Sequence, residues 1–286
     1  MQKQQKTISS PVSCKGVGLH SGHPVNLTLK PGKPNQGRVF VRTDLPGKPL
    51  IPAIFQRVVD TSLATVLGAD GAIVSTTEHL MAALSGWAID NIIVEMDAYE
   101  VPIMDGSARV FSNLIQQAGI AFQDSAKVGF IINEPLEVKE GDKSVRLLPY
   151  DGFKISCTID FEHPLIGHQE YVIDVTPERF ASEIAPARTF GFVHELDMMR
   201  HFGLAKGGSL DNAIVVDQDK ILNEGGLRFD DEFVRHKILD CIGDFSLLGM
   251  PVCGHIMIHK SGHAFHHLFL ETFFQRKDCW KTETLS

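Results

Sequence analysis

The chain has 286 residues, of which 43% are hydrophobic and 22% are charged, which is the composition of an ordinary globular protein large enough for two domains. Its formal net charge of −8 argues against a nucleic-acid-binding protein, although local cations could still hold an anionic small substrate. The five cysteines are odd in number and form no C-x-x-C pair, so we expect neither a disulfide framework nor a thiolate zinc site.

Export and membrane insertion have no signature in the sequence. Residues 1–13 (MQKQQKTISSPVS) lack the apolar run of a secretory signal, and no stretch of about eighteen apolar residues occurs that could span a membrane. We therefore expect a cytoplasmic protein without a transmembrane segment.

The first part of the chain predicts short strands separated by glycine and proline clusters, together with two helices. The predicted elements are strands over 25–29, 39–42 and 91–96, and helices over 75–85 and 107–118. Ser75 or Thr76 would cap the first helix, with Glu78 as the acid of a capping box, and Gly86 would end it.

The second part of the chain repeats this order of elements. A polar bridge over 123–127 (QDSAK) is the candidate domain boundary. The predicted elements after it are strands over 128–133, 145–149, 153–161, 213–217 and 254–259, and helices over 177–183, 195–201, 232–248 and from about 264.

Two domains of similar make-up follow from this repeat, 1–126 and 127–286. In each part a helix, a strand, a turn and a second helix succeed one another, which indicates an α+β fold whose two domains are each a sheet covered by two helices. Two such layers facing each other would leave a cleft between them.

The helix over 232–248 carries a polar stripe that could bind a metal. His236, Asp240 and Asp244 are spaced four residues apart and therefore share one helix face. An imidazole and a carboxylate one turn apart can hold a divalent ion, but they can equally form a weak pair on a solvated face. The stripe alone leaves both alternatives open.

Glu78 and His79 extend the metal hypothesis. His79 would complete a His-His-Asp set with His236 and Asp240, leaving a fourth position open as in catalytic zinc sites, while Glu78 could take a proton from water. The alternative is a helix-terminal cap beside a half-buried ring. Neither one-helix zinc motif, H-E-x-x-H or H-x-x-E-H, is present at 76–79 or 194–198.

Several other residues are chemically capable but ambiguous. His263 lies in a glycine turn and could be a general acid oriented by Asp244, or an exposed turn histidine. Thr189 could donate to an oxyanion or be an ordinary strand residue, and Lys237 and Lys260 could bind phosphate or be solvated.

The remaining histidines are predicted to carry no role. His20 and His23 lie in a glycine-rich loop and could form a second metal pair, but the polarity of the loop accounts for them. His266 and His267 are adjacent on a helix, so they point to different faces and chelate poorly together.

Taken together, nine ordered stretches resemble one family, the zinc-dependent UDP-3-O-acyl-N-acetylglucosamine deacetylases of lipid A biosynthesis, over nearly the whole chain. The matching stretches are KGVGLHSG (15–22), STTEHL (75–80), IDNIIVE (89–95), EVPIMDGSA (100–108), IDFEHP (159–164), ARTFGF (187–192), LAKGGSLDNAIVVD (204–217), LNEGGLRFDDEFVRHKILDCIGD (222–244) and KSGHA (260–264). The family fold consists of two facing layers in a β-α-α-β sandwich, with the active site in the cleft between them.

The resemblance implies a catalytic centre built on one zinc ion. Its zinc ligands would be His79, His236 and Asp240. Glu78 would be the general base on the zinc-bound water. The general acid that protonates the leaving amine would be His263, held by Asp244, and Thr189 would stabilise the oxyanion with zinc.

The resemblance also implies the substrate and its binding residues. The substrate would be acylated UDP-glucosamine, with Lys237 and Phe190 near the sugar, and with Lys143, Phe161 and Lys260 holding the UDP. An insertion at about 193–221 would form an apolar passage for the acyl chain. We expect Zn2+ as the cofactor, a monomer, and no nucleic-acid partner.

Two alternatives remain beside this hypothesis, a non-catalytic binding protein on the same fold and a zinc deacetylase for another acylated sugar nucleotide. The chain also departs from the family at 265–267, where Phe265, His266 and His267 replace the common leucine and amide pair, and at Trp87, where a smaller apolar residue is usual.

Overall fold

The computed structural model describes residues 3–285, with the side chain at position 197 excepted. The strands of the first part are β1 (Gln4–Ile8), β2 (Val12–Val17), β3 (Pro24–Pro31), β4 (Arg38–Arg42), β5 (Leu50–Pro52), β6 (Val58–Asp60), β7 (Val66–Ala69), β8 (Ala72–Val74), β9 (Ile92–Met96) and β10 (Ile120–Ala126). The helices of this part are α1 (Glu78–Gly86) and α2 (Arg109–Ala118), with a 3-10 turn at Phe55–Arg57.

The second part adds nine strands and four helices within the described residues. The strands are β11 (Val128–Ile132), β12 (Leu136–Glu140), β13 (Lys143–Leu148), β14 (Phe153–Asp160), β15 (His168–Asp174), β16 (Phe190–Phe192), β17 (Ile214–Val216), β18 (Val252–His259) and β19 (Trp280–Thr284). The helices are α3 (Pro177–Arg179), α4 (Val193–His201), α5 (Glu232–Phe245) and α6 (His263–Gln275), with a π turn at Phe180–Ile184 and a 3-10 turn at Ser246–Leu248.

The strands form two main sheets, each packed against helices. The first sheet has the order β2-β3-β9-β4-β5. In the second sheet β18 is central and pairs with β11, β13 and β14, while β12, β15 and β19 extend it. Helix α2 contacts β2, helix α5 contacts β14 and β15, and α1 packs against α5, so helices lie between the sheets. The α+β class predicted from the sequence is confirmed.

Smaller units complete the fold. Strand β1 pairs with β10 in an antiparallel ribbon, and β16 pairs in parallel with β17 through α4, which makes a βαβ unit. None of the helices within residues 3–285 is long and apolar enough to cross a membrane.

Two local predictions were wrong. The polar bridge at 123–127 falls mostly within β10, because alternate residues of this two-stranded ribbon are exposed and a polar sequence suits them. No side chain caps α1, which begins at Glu78. Thr76 has a φ of 57° and its hydroxyl bonds to Glu100, while the Glu78 carboxylate points away from the helix end and accepts the Thr65 amide. The domain boundary between 126 and 127 lies between β10 and β11 and stays a prediction.

Helix α5 is buried on nearly all sides. Its apolar stripe packs in the core as predicted, and its polar stripe is buried as well. His236 and Asp240 are only 2% and 3% exposed, so the alternative of a solvated helix face is excluded. Buried polar side chains require partners, and those of α5 are described below.

Gly243 allows α1 and α5 to cross in close contact. A Cβ atom at this position would collide with the carbonyl group and Cα of Glu78. The backbone that carries Glu78 therefore rests directly on α5.

Gly243→Ala should lower stability by about 1–3 kcal/mol, the usual cost of overpacking. Alanine is favoured over glycine inside a helix by roughly 1 kcal/mol, so helix propensity alone predicts the opposite sign. Urea unfolding measures the change, with Gly225→Ala as the control because a Cβ at Gly225 would have no atom within 4 Å. Unchanged or increased stability of the Gly243 variant would contradict the close crossing.

Candidate active site

Three side chains that could hold a metal ion converge where α1 meets α5. Oδ1 of Asp240 lies 3.3 Å from Nε2 of His236 and 3.7 Å from Nε2 of His79. All three ligand atoms lie within 4.8 Å of one another. Atoms bound at about 2.0–2.1 Å to one tetrahedral ion are roughly 3.3 Å apart, so these separations fit a single small cation.

The protonation states of the three side chains also suit a cation. Nδ1 of His236 lies 3.1 Å from the carbonyl oxygen of Ala187, which can only accept, so Nδ1 carries the proton and Nε2 offers its lone pair. Burial lowers the pKa of His236, and it lowers the pKa of His79 to about 3. Burial alone would raise the pKa of Asp240, but the adjacent His236 and the Lys237 ammonium, 3.0 Å away, hold it well below its usual range.

Glu78 lies next to this cluster and is only 4% exposed. Its Oε2 accepts a 3.1 Å hydrogen bond from the Thr65 amide, and its Oε1 lies 4.0 Å from Nε2 of His263. Burial raises the pKa of Glu78 to about 7 against the opposing charge of His263. A carboxyl group with a pKa near neutrality can accept and release a proton during a reaction.

Asp244 is the hydrogen-bond partner of His263, and its role in orienting the ring stays a prediction. Nδ1 of His263 lies 2.7 Å from Oδ2 of Asp244, and the Thr65 hydroxyl donates to Oδ1 at 2.6 Å. Burial disfavours the charged ring, but Asp244 outweighs it and raises the pKa of His263 to about 10. His263 is therefore protonated at neutral pH, with Nε2 directed towards Glu78.

The chain matches the family model described as LpxC, UDP-3-O-acyl N-acetylglycosamine deacetylase, over residues 5–275. The chain belongs to this deacetylase family. The UDP-3-O-acyl-N-acetylglucosamine deacetylase of Myxococcus xanthus (strain DK1622) is 54% identical over 277 residues, which cover 97% of this chain and 88% of the relative. The corresponding deacetylase of Syntrophotalea carbinolica (strain DSM 2380 / NBRC 103641 / GraBd1) is 47% identical over 277 residues, 97% of this chain and 90% of the relative.

Of the two aromatic residues that the resemblance assigned to the substrate, Phe190 lies beside the His-His-Asp cluster and Phe161 lies next to Phe190. The ring centroid of Phe190 is 6.3 Å from that of His236 and 5.8 Å from that of Phe161. Nζ of Lys237 lies 5.4 Å from the ring centroid of Phe190. Thr189 precedes Phe190 and is half-buried, and no partner for its hydroxyl is found within residues 3–285. The oxyanion role of Thr189 stays a prediction.

Lys143 and Lys260 lie farther out, at one edge of the second sheet. This edge is formed by strand ends: the first residues of β13 lie beside the last residues of β18, and these lie beside the end of β14. Nζ of Lys260 pairs with Asp142 at 3.2 Å and with Asp160 at 2.9 Å. In the described part of the chain, neither lysine contacts the metal cluster, Glu78 or His263.

His266 and Thr65 are part of the site, and the sequence prediction missed both. Nδ1 of His266 lies 2.7 Å from Oδ2 of Asp244, a contact that the sequence prediction did not include. Its spacing of three residues from His263 places both rings on one face at the start of α6, and this was the signal available in the sequence. Thr65 lies in a loop far from its partners in sequence and gave no signal.

A buried ion pair fixes the segment that contacts His236. Glu232, on the first turn of α5, is fully buried and accepts hydrogen bonds from the Arg188 guanidinium at 2.9 and 3.1 Å and from the Arg188 amide at 3.0 Å. Ala187, which accepts from His236, directly precedes Arg188. This pair therefore sets the position of the 187–190 segment.

Glu232→Gln should destabilise the protein by roughly 3–5 kcal/mol at pH 7, because it leaves the Arg188 charge buried and uncompensated. Burial raises the pKa of Glu232, but the hydrogen bonds from Arg188 outweigh it, and the pKa lies below its usual value. A depressed pKa gives stability that is present above the unfolded value of about 4.3 and lost as the pH falls through the folded value.

The difference in unfolding free energy between wild type and Glu232→Gln should therefore shrink as the pH falls below about 4. Urea unfolding over a pH series measures it. Glu137→Gln is the control, because Glu137 pairs with Arg146 at 3.7 Å on the surface and should contribute only about 0–1 kcal/mol. A difference that is independent of pH would contradict the assignment.

Proposed function

We propose that this chain hydrolyses the N-acetyl group of UDP-3-O-(3-hydroxyacyl)-N-acetylglucosamine and releases acetate, an early step of lipid A biosynthesis. The observation that carries the proposal is that Oε1 of Glu78 and Nε2 of His263 face each other at 4.0 Å beside a buried His-His-Asp cluster. A base, an acid and a cation site then meet at one point, and amide hydrolysis requires all three.

Zn2+ is the cofactor that this donor set fits best, with His79, His236 and Asp240 as its ligands. When bound, zinc would supply Lewis acidity to the amide carbonyl and lower the pKa of water at the site. Family membership and the neutral state of both imidazoles support this choice.

Glu78 is the base in the proposed reaction. Its carboxylate takes a proton from the attacking water at Oε1, while the Thr65 amide keeps Oε2 in place. A bond forms between the water oxygen and the acetyl carbon, and the carbonyl oxygen becomes negatively charged. The half-buried Thr189 hydroxyl is the side chain proposed to donate to this oxygen.

His263 is the acid in the proposed reaction. Nε2 of its imidazolium gives a proton to the sugar nitrogen as the carbon–nitrogen bond breaks, so the amine leaves in neutral form. The negative charge of Asp244, 2.7 Å from Nδ1, keeps the ring charged until that step. The products are acetate and the free amine of the sugar.

The substrate would extend from this centre in two directions. We propose that the uracil and diphosphate lie along the sheet edge that carries Lys143, Lys260 and Phe161, where Lys260 would exchange its bonds to acidic side chains for bonds to phosphate. The acyl chain would lie against the βαβ unit of β16, α4 and β17, where Met198, Phe202 and Leu210 are exposed.

The two alternative functions predict different observations. A non-catalytic binding protein needs neither a base nor an acid, so the paired Glu78 and His263 argue against it. A deacetylase for another acylated sugar nucleotide would keep this centre, and only a comparison of substrates separates it from the proposed enzyme.

Chelation of the metal should abolish acetate release, and added Zn2+ should restore it.

Glu78→Gln should keep its metal content and lose about 10²–10⁴-fold in kcat, because it removes a proton acceptor and no metal ligand. His79→Gln is the matched control and should lose metal as well as activity. Metal analysis and an acetate-release assay on the same samples measure both effects. Full activity of a metal-free sample would contradict the proposed function.

Acyl recognition can be tested at Phe202, whose side chain is exposed on the βαβ unit. Phe202→Ser should lower kcat/KM for the 3-O-acylated substrate about fivefold, the equivalent of about 1 kcal/mol of lost apolar contact. Activity on plain UDP-N-acetylglucosamine, which lacks the chain, should not change. The control is Phe122→Ser, since Phe122 is an exposed phenylalanine on β10, and an equal loss in both variants would contradict the proposed passage.

A further inference from the structure

The carboxylate of Asp244 binds two histidines through one oxygen. Nδ1 of His263 and Nδ1 of His266 each lie 2.7 Å from Oδ2, and their rings are perpendicular, at 89°. The other oxygen, Oδ1, accepts the Thr65 hydroxyl. A carboxylate oxygen can only accept, so both Nδ1 atoms are donors.

His266 is held in place as firmly as His263. It is 1% exposed, and its Nε2 lies 2.7 Å from the hydroxyl oxygen of Ser261. Its ring also packs against Phe245, with centroids 5.6 Å apart. The ring therefore has a fixed partner at each nitrogen and no freedom to leave Asp244.

We propose that His266 is a positioning residue that fixes the Asp244 carboxylate and limits how tightly that carboxylate holds the proton of His263. Two donors share the negative charge of one oxygen, so each hydrogen bond is weaker than a single one would be. The proposal rests on the deacetylation proposed above, because His263 is the acid of that reaction. An acid that holds its proton less tightly transfers it more readily.

Other charged or titratable groups also face His263 and act on its proton. They are Glu78 and His79 of α1 and His236 and Asp240 of α5. All of them remain when His266 alone is changed, so the difference between variant and wild type isolates the contribution of His266.

His266→Phe removes the donor while keeping a ring of similar size. The alkaline limb of the kcat/KM pH profile should move to higher pH by about 0.5 unit or more, because Asp244 then acts on His263 alone. At neutral pH kcat should fall about 5- to 20-fold with KM within about twofold, because binding is not involved.

His266→Asn should recover most of the wild-type behaviour, since its amide nitrogen occupies nearly the place of Nδ1 and can donate to Asp244. His267→Phe is the matched control, because His267 is the next residue and, among the residues that the structure describes, its ion pair is with Glu271, at 3.7 Å, and not with Asp244. A purely structural role for His266 would lower activity without moving the pH profile, and that result would overturn the proposal.

A measurement without turnover separates this proposal from the proposed function. Proton–nitrogen NMR of the histidine rings should show hydrogen-bonded Nδ1–H groups of His236, His263 and His266 in the wild-type protein, and the loss of the His266 signal alone in His266→Phe. The His263 ring should also titrate at higher pH in the variant.

If the wild type releases no acetate, the proposed function fails while the NMR titration still tests the role of His266. If His266→Phe does not fold, the wild-type spectrum and the His266→Asn profile decide. The absence of a hydrogen-bonded Nδ1–H signal from His266 in the wild type overturns the proposal. A folded His266→Asn variant whose pH profile matches that of His266→Phe, and not that of the wild type, also overturns it.

Discussion

The contact between α1 and α5 is the constraint on which the candidate site depends. Glu78 and His79 begin one helix, and His236, Asp240 and Asp244 lie along the other. These side chains are short, so they reach a common point only if the two backbones touch, and the missing side chain at Gly243 allows this. The ion pair of Glu232 with Arg188 holds the 187–190 segment on the same helix, where Ala187 accepts from His236.

The carboxyl groups of this buried polar cluster have pKa values that are shifted in opposite directions. Asp240 and Asp244 each have cationic or hydrogen-bonding partners that keep them ionised despite burial. Glu78 lies close to both and has fewer such partners, so its pKa rises to about 7. Neighbouring carboxyl groups with opposite pKa shifts can take different chemical roles, and in the proposed reaction Glu78 would carry a proton beside two groups that stay ionised. Buried charges stabilise a fold poorly, and their retention is expected where chemistry requires them.

The sequence predicted the elements that have strong periodicity and long apolar faces. Helices α1, α2, α5 and α6 were found to within a few residues, because burial of a helical stripe leaves a regular pattern. The α+β class followed from their order. Strands β12 and β15 were missed, since half of their side chains are exposed and their polar composition resembles that of loops.

The sequence predicted contacts of the candidate site that lie within one helix, but not those between distant parts of the chain. A spacing of one helical turn, as between His236 and Asp240, predicts from the sequence that two side chains are neighbours. Contacts across the fold do not: Thr65 meets Asp244 from a loop, and the Arg188 guanidinium meets Glu232 across 44 residues. His266 is adjacent to His267, which predicts poor chelation by the pair, but the partner of His266 lies on another helix and leaves no local pattern in the sequence.

The distance along the chain between the two halves of the cluster affects when the site can exist. His79 and His236 are 157 residues apart, and His263 follows later still. At about 5–20 residues per second, roughly 10–40 s of synthesis separates the first of these residues from the last. During that time the nascent chain presents one imidazole of the cluster, which cannot compete for a metal against small-molecule ligands. With His79, His236 and Asp240 as the proposed metal ligands, metal loading would be a late event that follows the docking of α5 onto α1, and a truncated chain would sequester no metal at this site.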